Sequence, residues 1–375
     1  MRSDQKLKVM TIVGTRPELI RLSCVIPKMD EYFDHIFVYT KQSYDYELSD
    51  IFFEELSLRK PNHLLDVKSE TLGGQIANII EQTESVFIKE KPDAVLILGD
   101  TNTSLSAINA KRLKIPIFHM EAGNRAFDWN VPEEVNRRIV DHISDYNLCY
   151  TEHARRYLIA EGLDPQTIFV TGSPFTEVFS RFREKIDSSK ILDDLKVSRD
   201  RFFLVSMHRE ENVDNKEHLA ELFSSLDFLA KKHELPIIVS LHPRTKKRLE
   251  EAKIKVNRLI KFSKPFGYFE YCKLQQNALC VLSDSGSIQE ESAIQRFFAV
   301  QIRKSTERPE AFDTGSIVLV GLNKHTISNA VKMVISLKDN GEEIVIHPNY
   351  QDTNISTKVV KLIMGIVGIR KYHQK

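Results

Sequence analysis

Short apolar runs alternate with amphipathic stretches along most of the 375-residue chain. KVMTIV (8–13), HIFVYT (35–40), AVLILG (94–99), IPIFHM (115–120), YNLCYT (146–151) and TIFVTG (167–172) are nearly continuous in apolar character. That suits strands of a parallel sheet covered on both faces. Between them, 72–90, 101–113 and 152–162 carry helical patterns. After a charged helical stretch at 182–201 the alternation restarts with FFLVSMH (202–208), PIIVSLH (236–242), ALCVLSD (278–284), FAVQIR (298–303) and SIVLV (316–320). Two consecutive βα series predict an α/β protein of two doubly wound domains, 1–180 and 195–355, joined between 173 and 200. A last helix at 357–372 is expected to pack back on the first domain. In such sheets ligands bind beyond the carboxyl ends of the strands, and the cleft between two domains is the expected site.

Composition narrows the partners. Lys+Arg 53 against Asp+Glu 52 leaves a formal charge of +1, so no global field draws nucleic acid or a membrane surface. The N-terminus, MRSDQKLK, has no apolar signal core, and no later segment is long enough to span a bilayer, so a cytoplasmic protein is expected. Cys24, Cys149, Cys272 and Cys280 are scattered without a C-x-x-C pair, which predicts buried free thiols and no metal site.

The polar residues gather where the predicted strands end. GTRPE (14–18) follows the first strand, and a helix starting at Pro17 with Arg16 beside it favours an anion; a capped turn with a solvated Arg16 is the equal alternative. After 94–99, Asp100 in GDTNTS reads first as a cap for the next helix, and otherwise as a base facing a cleft. Glu121 leaves strand 115–120 at the same edge, Gly123 permits a sharp turn, and Pro132 begins a helix carrying Glu133 and Arg137 one turn apart. That pair alone could be a surface ion pair worth about a few tenths of a kcal/mol. Three carboxylates at one sheet edge would repel and raise at least one pKa, which suits proton transfer. Trp129, the only tryptophan, packs the loop on this reading.

In the second half, His208 ends strand 202–208, where an imidazole titrates near neutrality. Ser283, Ser285, Gly286 and Ser287 form a small-residue turn opening a helix, the ordinary build of a phosphate cradle. Glu291, one turn into that helix, could accept from ribose hydroxyls. Arg308 precedes Pro309 in STERPE. The Walker pattern and G-x-G-x-x-G after the first strand are absent, which disfavours a P-loop ATPase and a dinucleotide oxidoreductase. These residues predict a phosphorylated or nucleotide-bearing ligand and leave the reaction open.

GTRPE (14–18), GDTN (99–102), EAG-x-R (121–125), PEE-x-NRR (132–138), HRE (208–210), DSG-x-IQEE (284–291) and TERPE (306–310) together resemble the non-hydrolysing UDP-N-acetylglucosamine 2-epimerase family, in the family's order, from residue 8 to about 322. The resemblance implies two Rossmann-like domains facing a cleft, as in GT-B glycosyltransferases. It also implies interconversion of UDP-N-acetylglucosamine and UDP-N-acetylmannosamine for surface polysaccharide, with no cofactor or metal. The C2 proton is lost as UDP is eliminated, and UDP re-adds to enzyme-bound 2-acetamidoglucal while a proton arrives from the other face. By resemblance Asp100, Glu121 and Glu133 carry the proton chemistry, without assignment of the base in each direction. His208, Arg16 and Arg137 stabilise the departing diphosphate. Ser285, Gly286 and Ser287 hold phosphate, Glu291 the ribose, and Phe266 and Tyr271 of KPFGYFEY (264–271) line the uracil pocket with Arg308 nearby. The family's usual assembly is a homodimer.

Departures from the family pattern mark the sugar as the open question. The family's lysine after GTRPE is Arg21 here. HRRE reads HREE, DSGG reads DSGS and EAGLR reads EAGNR. TGQHREM, which in some members helps bind a second, activating UDP-N-acetylglucosamine, reads TKQSYDYEL (40–48). These variants resemble a branch that converts UDP-2-acetamido-2,6-dideoxy-L-talose to UDP-N-acetyl-L-fucosamine. A GT-B UDP-sugar glycosyltransferase, a UDP-forming hydrolytic epimerase and a non-catalytic nucleotide-sugar sensor are the rival readings.

Overall fold

The computed structural model describes residues 6–41, 53–207, 212, 215–240, 248–249, 251 and 256–373. The chain forms two compact units, Met1–Ser180 with Asn349–Lys375, and Arg181–Pro348.

The first unit is built on seven parallel strands: β1 Lys8–Val13, β2 Asp34–Tyr39, β3 His63–Leu64, β4 Ala94–Leu98, β5 Ile117–Met120, β6 Tyr146–Cys149 and β7 Ile168–Val170. Their order across the sheet is β3-β2-β1-β4-β5-β6-β7. The order reverses between β1 and β4, so the crevice outside the carboxyl ends of those two strands is where such a sheet receives a ligand. GTRPE leaves β1 and GDTN leaves β4 at this place. The strands are apolar throughout because both faces are covered: Met10, Ile12, Val95, Ile97 and Ile117 share one core with Ile79, Val86 and Phe87 of the helix Leu72–Glu90. The final helix, Ile355–His373, belongs to this unit and packs on the helix Val25–Tyr32. Its entry is pinned by Glu177, which accepts from the Ser356 backbone N–H at 2.8 Å.

The second unit carries six parallel strands: β8 Phe203–Ser206, β9 Ile237–Ser240, β10 Ile260–Ser263, β11 Cys280–Ser283, β12 Ala299–Ile302 and β13 Val318–Val320. They run in the order β10-β9-β8-β11-β12-β13, again reversing beside the first strand. Phe203 and Val205 of β8 face one core, and Leu204 faces the other with Ile238 and Val281, the two-residue alternation of a strand buried on both sides.

Two strands escape the apolar pattern. β3 and β10 are the edge strands β2 and β9 recruit, and each is half-exposed, so neither shows a buried run. The stretch 182–201 is not one helix: the helix Pro174–Asp187 ends there, and Ile191–Asp194 forms a separate turn. Within 101–113, a 3₁₀ turn (Asn102–Ser106) precedes the α-helix Ala107–Arg112. All four cysteines are free and buried. No helix among the described residues is long and apolar enough to cross a membrane.

Candidate active site

Gly14 follows β1 where no side chain fits: a Cβ there would lie 1.9 Å from Thr103 Oγ1 and 2.8 Å from Thr40 Oγ1. Those two hydroxyls bond each other at 2.6 Å, joining the loops after β2 and β4. Arg16 is the first residue of the helix Arg16–Leu22, and Glu18 closes a capping box with Thr15. The Glu18 carboxylate accepts from the backbone N–H groups of Gly14 (2.5 Å) and Thr15 (3.0 Å) through Oε2, and from the Thr101 hydroxyl (2.6 Å) through Oε1. One buried side chain therefore clamps the anion-favouring loop to the residue next to Asp100. The signal that would have singled it out is T-x-x-E ahead of an apolar run.

Burial pushes the Glu18 carboxyl up to about 7 from 4.5; the bonds from Thr101, Gly14 and Thr15 oppose the rise and the charge of Asp100 adds to it. A folded-state pKa above the unfolded one means the contribution to stability is full below pH 4.5 and lost as pH climbs through about 7. Wild type should therefore lose thermal stability relative to Glu18→Gln across that interval, a comparison for paired melts. Curves that stay parallel would sink the assignment.

Asp100 does not act as the helix cap; Thr101 takes that position. The Asp100 carboxylate instead receives Arg137, with Nε at 2.9 Å and Nη2 at 2.7 Å, both on Oδ2. Arg137 is buried on the helix Glu133–Ile143 and also reaches Glu134 Oε2 at 3.2 Å. Asn136, beside it, donates to the Asp100 carbonyl (3.0 Å) and to Asn102 Oδ1 (3.1 Å), so this helix holds the GDTN loop at several points. Glu133 is the half-buried first residue of the helix.

Glu121 leaves β5 with φ +65°, a conformation that costs a side-chain-bearing residue about 1–2 kcal/mol. Strain of that kind concentrates at functional sites. Its carboxylate meets Arg21 Nη1 at 3.2 Å, and the Arg21 guanidinium also lies 5.1 Å from the centre of the Phe175 ring. Glu121 Oε2 would stand 3.5 Å from a Cβ on Gly99, the residue before Asp100, so adjacent strands bring the two acids to one spot. Asp100 and Glu121 each meet an arginine, and at this edge the Glu18 carboxyl has its pKa raised by burial.

Behind these acids lies a buried ionic layer. His119 on β5 sets Nε2 2.8 Å from the Gly99 carbonyl and Nδ1 2.9 Å from Asp141 Oδ1. A carbonyl only accepts, so Nε2 carries a proton, and the proton shared with Asp141 sits at Nδ1 when the carboxylate is ionised. Burial alone would lower the imidazole pKa, but the bond and charge of Asp141 outweigh it and hold it above its ordinary value. Burial likewise favours a neutral Asp141, yet His119 and Arg125 hold its carboxyl below the usual range. Arg125, 1% exposed, bonds Asp141 Oδ2 (2.6 Å), the Asn124 carbonyl (2.7 Å) and both oxygens of Glu161 (2.8 and 2.6 Å). Gly123, at φ +82°, sits where a Cβ would be 2.5 Å from the Ala154 carbonyl oxygen. Trp129 does not pack inward: it is 68% exposed, and the Arg138 guanidinium lies 5.1 Å from its ring centre.

In the second unit, Ser285, Gly286 and Ser287 lead into the helix Ile288–Gln295. The Ser285 and Ser287 hydroxyls bond at 2.9 Å, and Gln301 on β12 donates to the Ser285 carbonyl at 2.9 Å. Glu291 is fixed by Ser287 Oγ and Gln275 Nε2, each at 2.5 Å. Asp284, fully buried, accepts from Asn212 at 3.1 Å. Arg308 is buried 3.2 Å from Glu290. Phe266 is buried in the core beneath this turn's helix, and Tyr271 packs against the same core with its hydroxyl pKa raised by burial. His208 and residues 42–48 lie outside the described residues. Among the described residues, no group of three or more His, Cys, Asp or Glu side chains is arranged to hold a metal ion.

The chain matches the model of the family described as UDP-N-acetylglucosamine 2-epimerase over residues 27–364. It is 40% identical over 343 residues to the UDP-N-acetylglucosamine 2-epimerase of Methanocaldococcus jannaschii, covering 89% of this chain and 94% of that protein. The structure of UDP-N-acetylglucosamine 2-epimerase from Rickettsia bellii superposes with a TM-score of 0.90 at 47% identity, covering 97% of this chain and 98% of that one. The M. jannaschii enzyme in complex with UDP-GlcNAc and UDP gives a TM-score of 0.88 at 37% identity, over 96% and 99% of the two chains. This chain belongs to the UDP-N-acetylglucosamine 2-epimerase family.

Proposed function

We propose that the protein is a non-hydrolysing 2-epimerase that interconverts UDP-N-acetylglucosamine and UDP-N-acetylmannosamine. The observation that carries this reading is the pair Asp100 and Glu121, brought to one spot from adjacent strands and each held by its own arginine. Epimerisation at C2 needs a group to take a proton from one face and a group to return one from the other, and oriented carboxylates supply both. In the first half-reaction the C2 proton passes to a carboxylate and the C2–H electron pair becomes the C1=C2 double bond. The C1–O bond breaks with its electrons leaving on UDP. The second half-reaction reverses these changes, with the proton delivered to the opposite face. The Ser285–Ser287 turn suits the UDP phosphates, because backbone N–H groups at a helix start are ready anion donors. Glu291, already oriented by Ser287 and Gln275, suits a ribose hydroxyl.

Arg21 on Glu121 is the feature in which the family's lysine is replaced, and it leaves the sugar preference to experiment. Incubation with UDP-N-acetylglucosamine in D2O, followed by proton NMR at C2, should show deuterium incorporation together with a growing manno isomer. Exchange confined to the 6-deoxy-L-talo substrate would move the protein to the L-fucosamine-forming branch. No exchange with either sugar would overturn the epimerase reading.

A further inference from the structure

Arg303, the residue after β12, stands against the phosphate turn without having a role in the site as described so far. It is 4% exposed, and its Nη1 donates to Glu307 Oε2 at 2.9 Å. Its Nε and Nη2 are buried and find no hydrogen-bond partner among the described residues. Leaving charged donors buried and unsatisfied is costly, and a fold that keeps such a group has a use for it. The position indicates the use. A Cβ on Gly286 would stand 3.4 Å from Arg303 Nη1 and 2.3 Å from Glu307 Oε1, so the pair packs directly on the glycine of the turn. From the same strand, Gln301 holds the Ser285 carbonyl at 2.9 Å, so β12 supports the turn at two successive points.

We propose that Arg303 is a further diphosphate-binding residue: its Nε–H and Nη2–H are satisfied by phosphate oxygens when a nucleotide is bound, while Glu307 keeps the guanidinium in place. A planar guanidinium with adjacent donors matches phosphate geometry better than an ammonium does. The lack of a side chain at Gly286 leaves room for the guanidinium and Glu307 against the turn. A purely structural bridge to Glu307 would use Nη1 and leave the other two donors unaccounted for. This inference rests on the reading of the Ser285–Ser287 turn as the UDP cradle.

The test is calorimetric titration of the full chain with UDP, UMP and uridine, for wild type, Arg303→Met and Arg303→Lys. Arg303→Met should weaken UDP and UMP about tenfold to a hundredfold, the range for losing hydrogen bonds to a charged group, and leave uridine within about twofold. Arg303→Lys keeps the charge and loses the fork, so it should fall between the two. It also carries the test should the methionine variant not fold. Uridine weakened in step with UDP would show a structural role and overturn the proposal, as would unchanged UDP affinity. Wild type that binds no UDP at all would overturn the cradle reading itself, a result distinct from a variant that matches a UDP-binding wild type.

Discussion

Asp100→Asn should reduce turnover by about three orders of magnitude while UDP affinity stays within about twofold. The first figure is the typical worth of a positioned general acid or base. The second follows from the chain's division: the Ser285–Ser287 turn proposed for the UDP phosphates belongs to the other compact unit and is held by its own hydrogen bonds. The substitution is gentle to the fold, because Arg137 grips a single oxygen, Oδ2, and an amide oxygen can replace it. Arg137 also keeps Glu134, so it is not left as an uncompensated buried charge. What the amide cannot do is take the C2 proton. Deuterium incorporation at C2 should therefore fall together with kcat. Steady-state kinetics beside UDP titration decides the matter: equal loss of turnover and affinity would mean that Asp100 holds the nucleotide or the loop rather than a proton.

Of the thirteen strands among the described residues, eleven were legible in the apolar runs, because a parallel sheet covered on both faces needs nearly unbroken apolar strands. β3 and β10 were not, because β3 is only the two residues His63–Leu64 and β10 exposes Lys261 and Phe262, so neither carries an apolar run. The loops that gather the candidate site residues were legible as well, since polar clusters placed just after buried strands fall at the carboxyl edge of the sheet. What sequence could not show was the pairing. Asp100 and Arg137 are 37 residues apart, and Arg21 and Glu121 a hundred; local spacing instead suggested Glu133 with Arg137. The role of Glu18 within GTRPE is hidden in the sequence, because a carboxylate in a first helical turn reads as solvated. Arg303 was hidden in the same way, at the end of what read only as an apolar strand. Trp129 erred in the other direction: a lone tryptophan suggests packing, yet its ring is exposed under Arg138.

Asp141→Ala should cost the first unit about 3–5 kcal/mol, the usual penalty for removing one partner of a buried ionic group, and lower its unfolding transition by about 10 °C. Asp141 is the point at which three elements meet: His119 from β5, Arg125 and the Gly123 N–H (3.1 Å) from the turn after it, and its own helix. Removing it leaves Arg125 on Glu161 alone among its carboxylates and His119 without a countercharge, in a layer where neither side chain is exposed. Asp141→Asn should be milder, because a neutral His119 can accept from the amide while the amide oxygen still takes Arg125. The pH dependence separates the charge from the shape. His119 has its pKa raised from 6.5, so its contribution is full below that value and fades as pH rises through the folded pKa. Asp141 has its pKa lowered from 3.8, so its contribution is full above that value and fades as pH falls through the folded pKa. The cost of Asp141→Ala should accordingly be largest between pH 3.8 and 6.5 and shrink on either side, a profile that thermal melts across pH would trace. A cost that does not vary with pH would mean that the layer holds the unit by packing alone. The same substitution frees the Nδ1 side of His119, whose Nε2 holds the Gly99 carbonyl one residue before Asp100, so catalysis should fall even at temperatures where the variant remains folded.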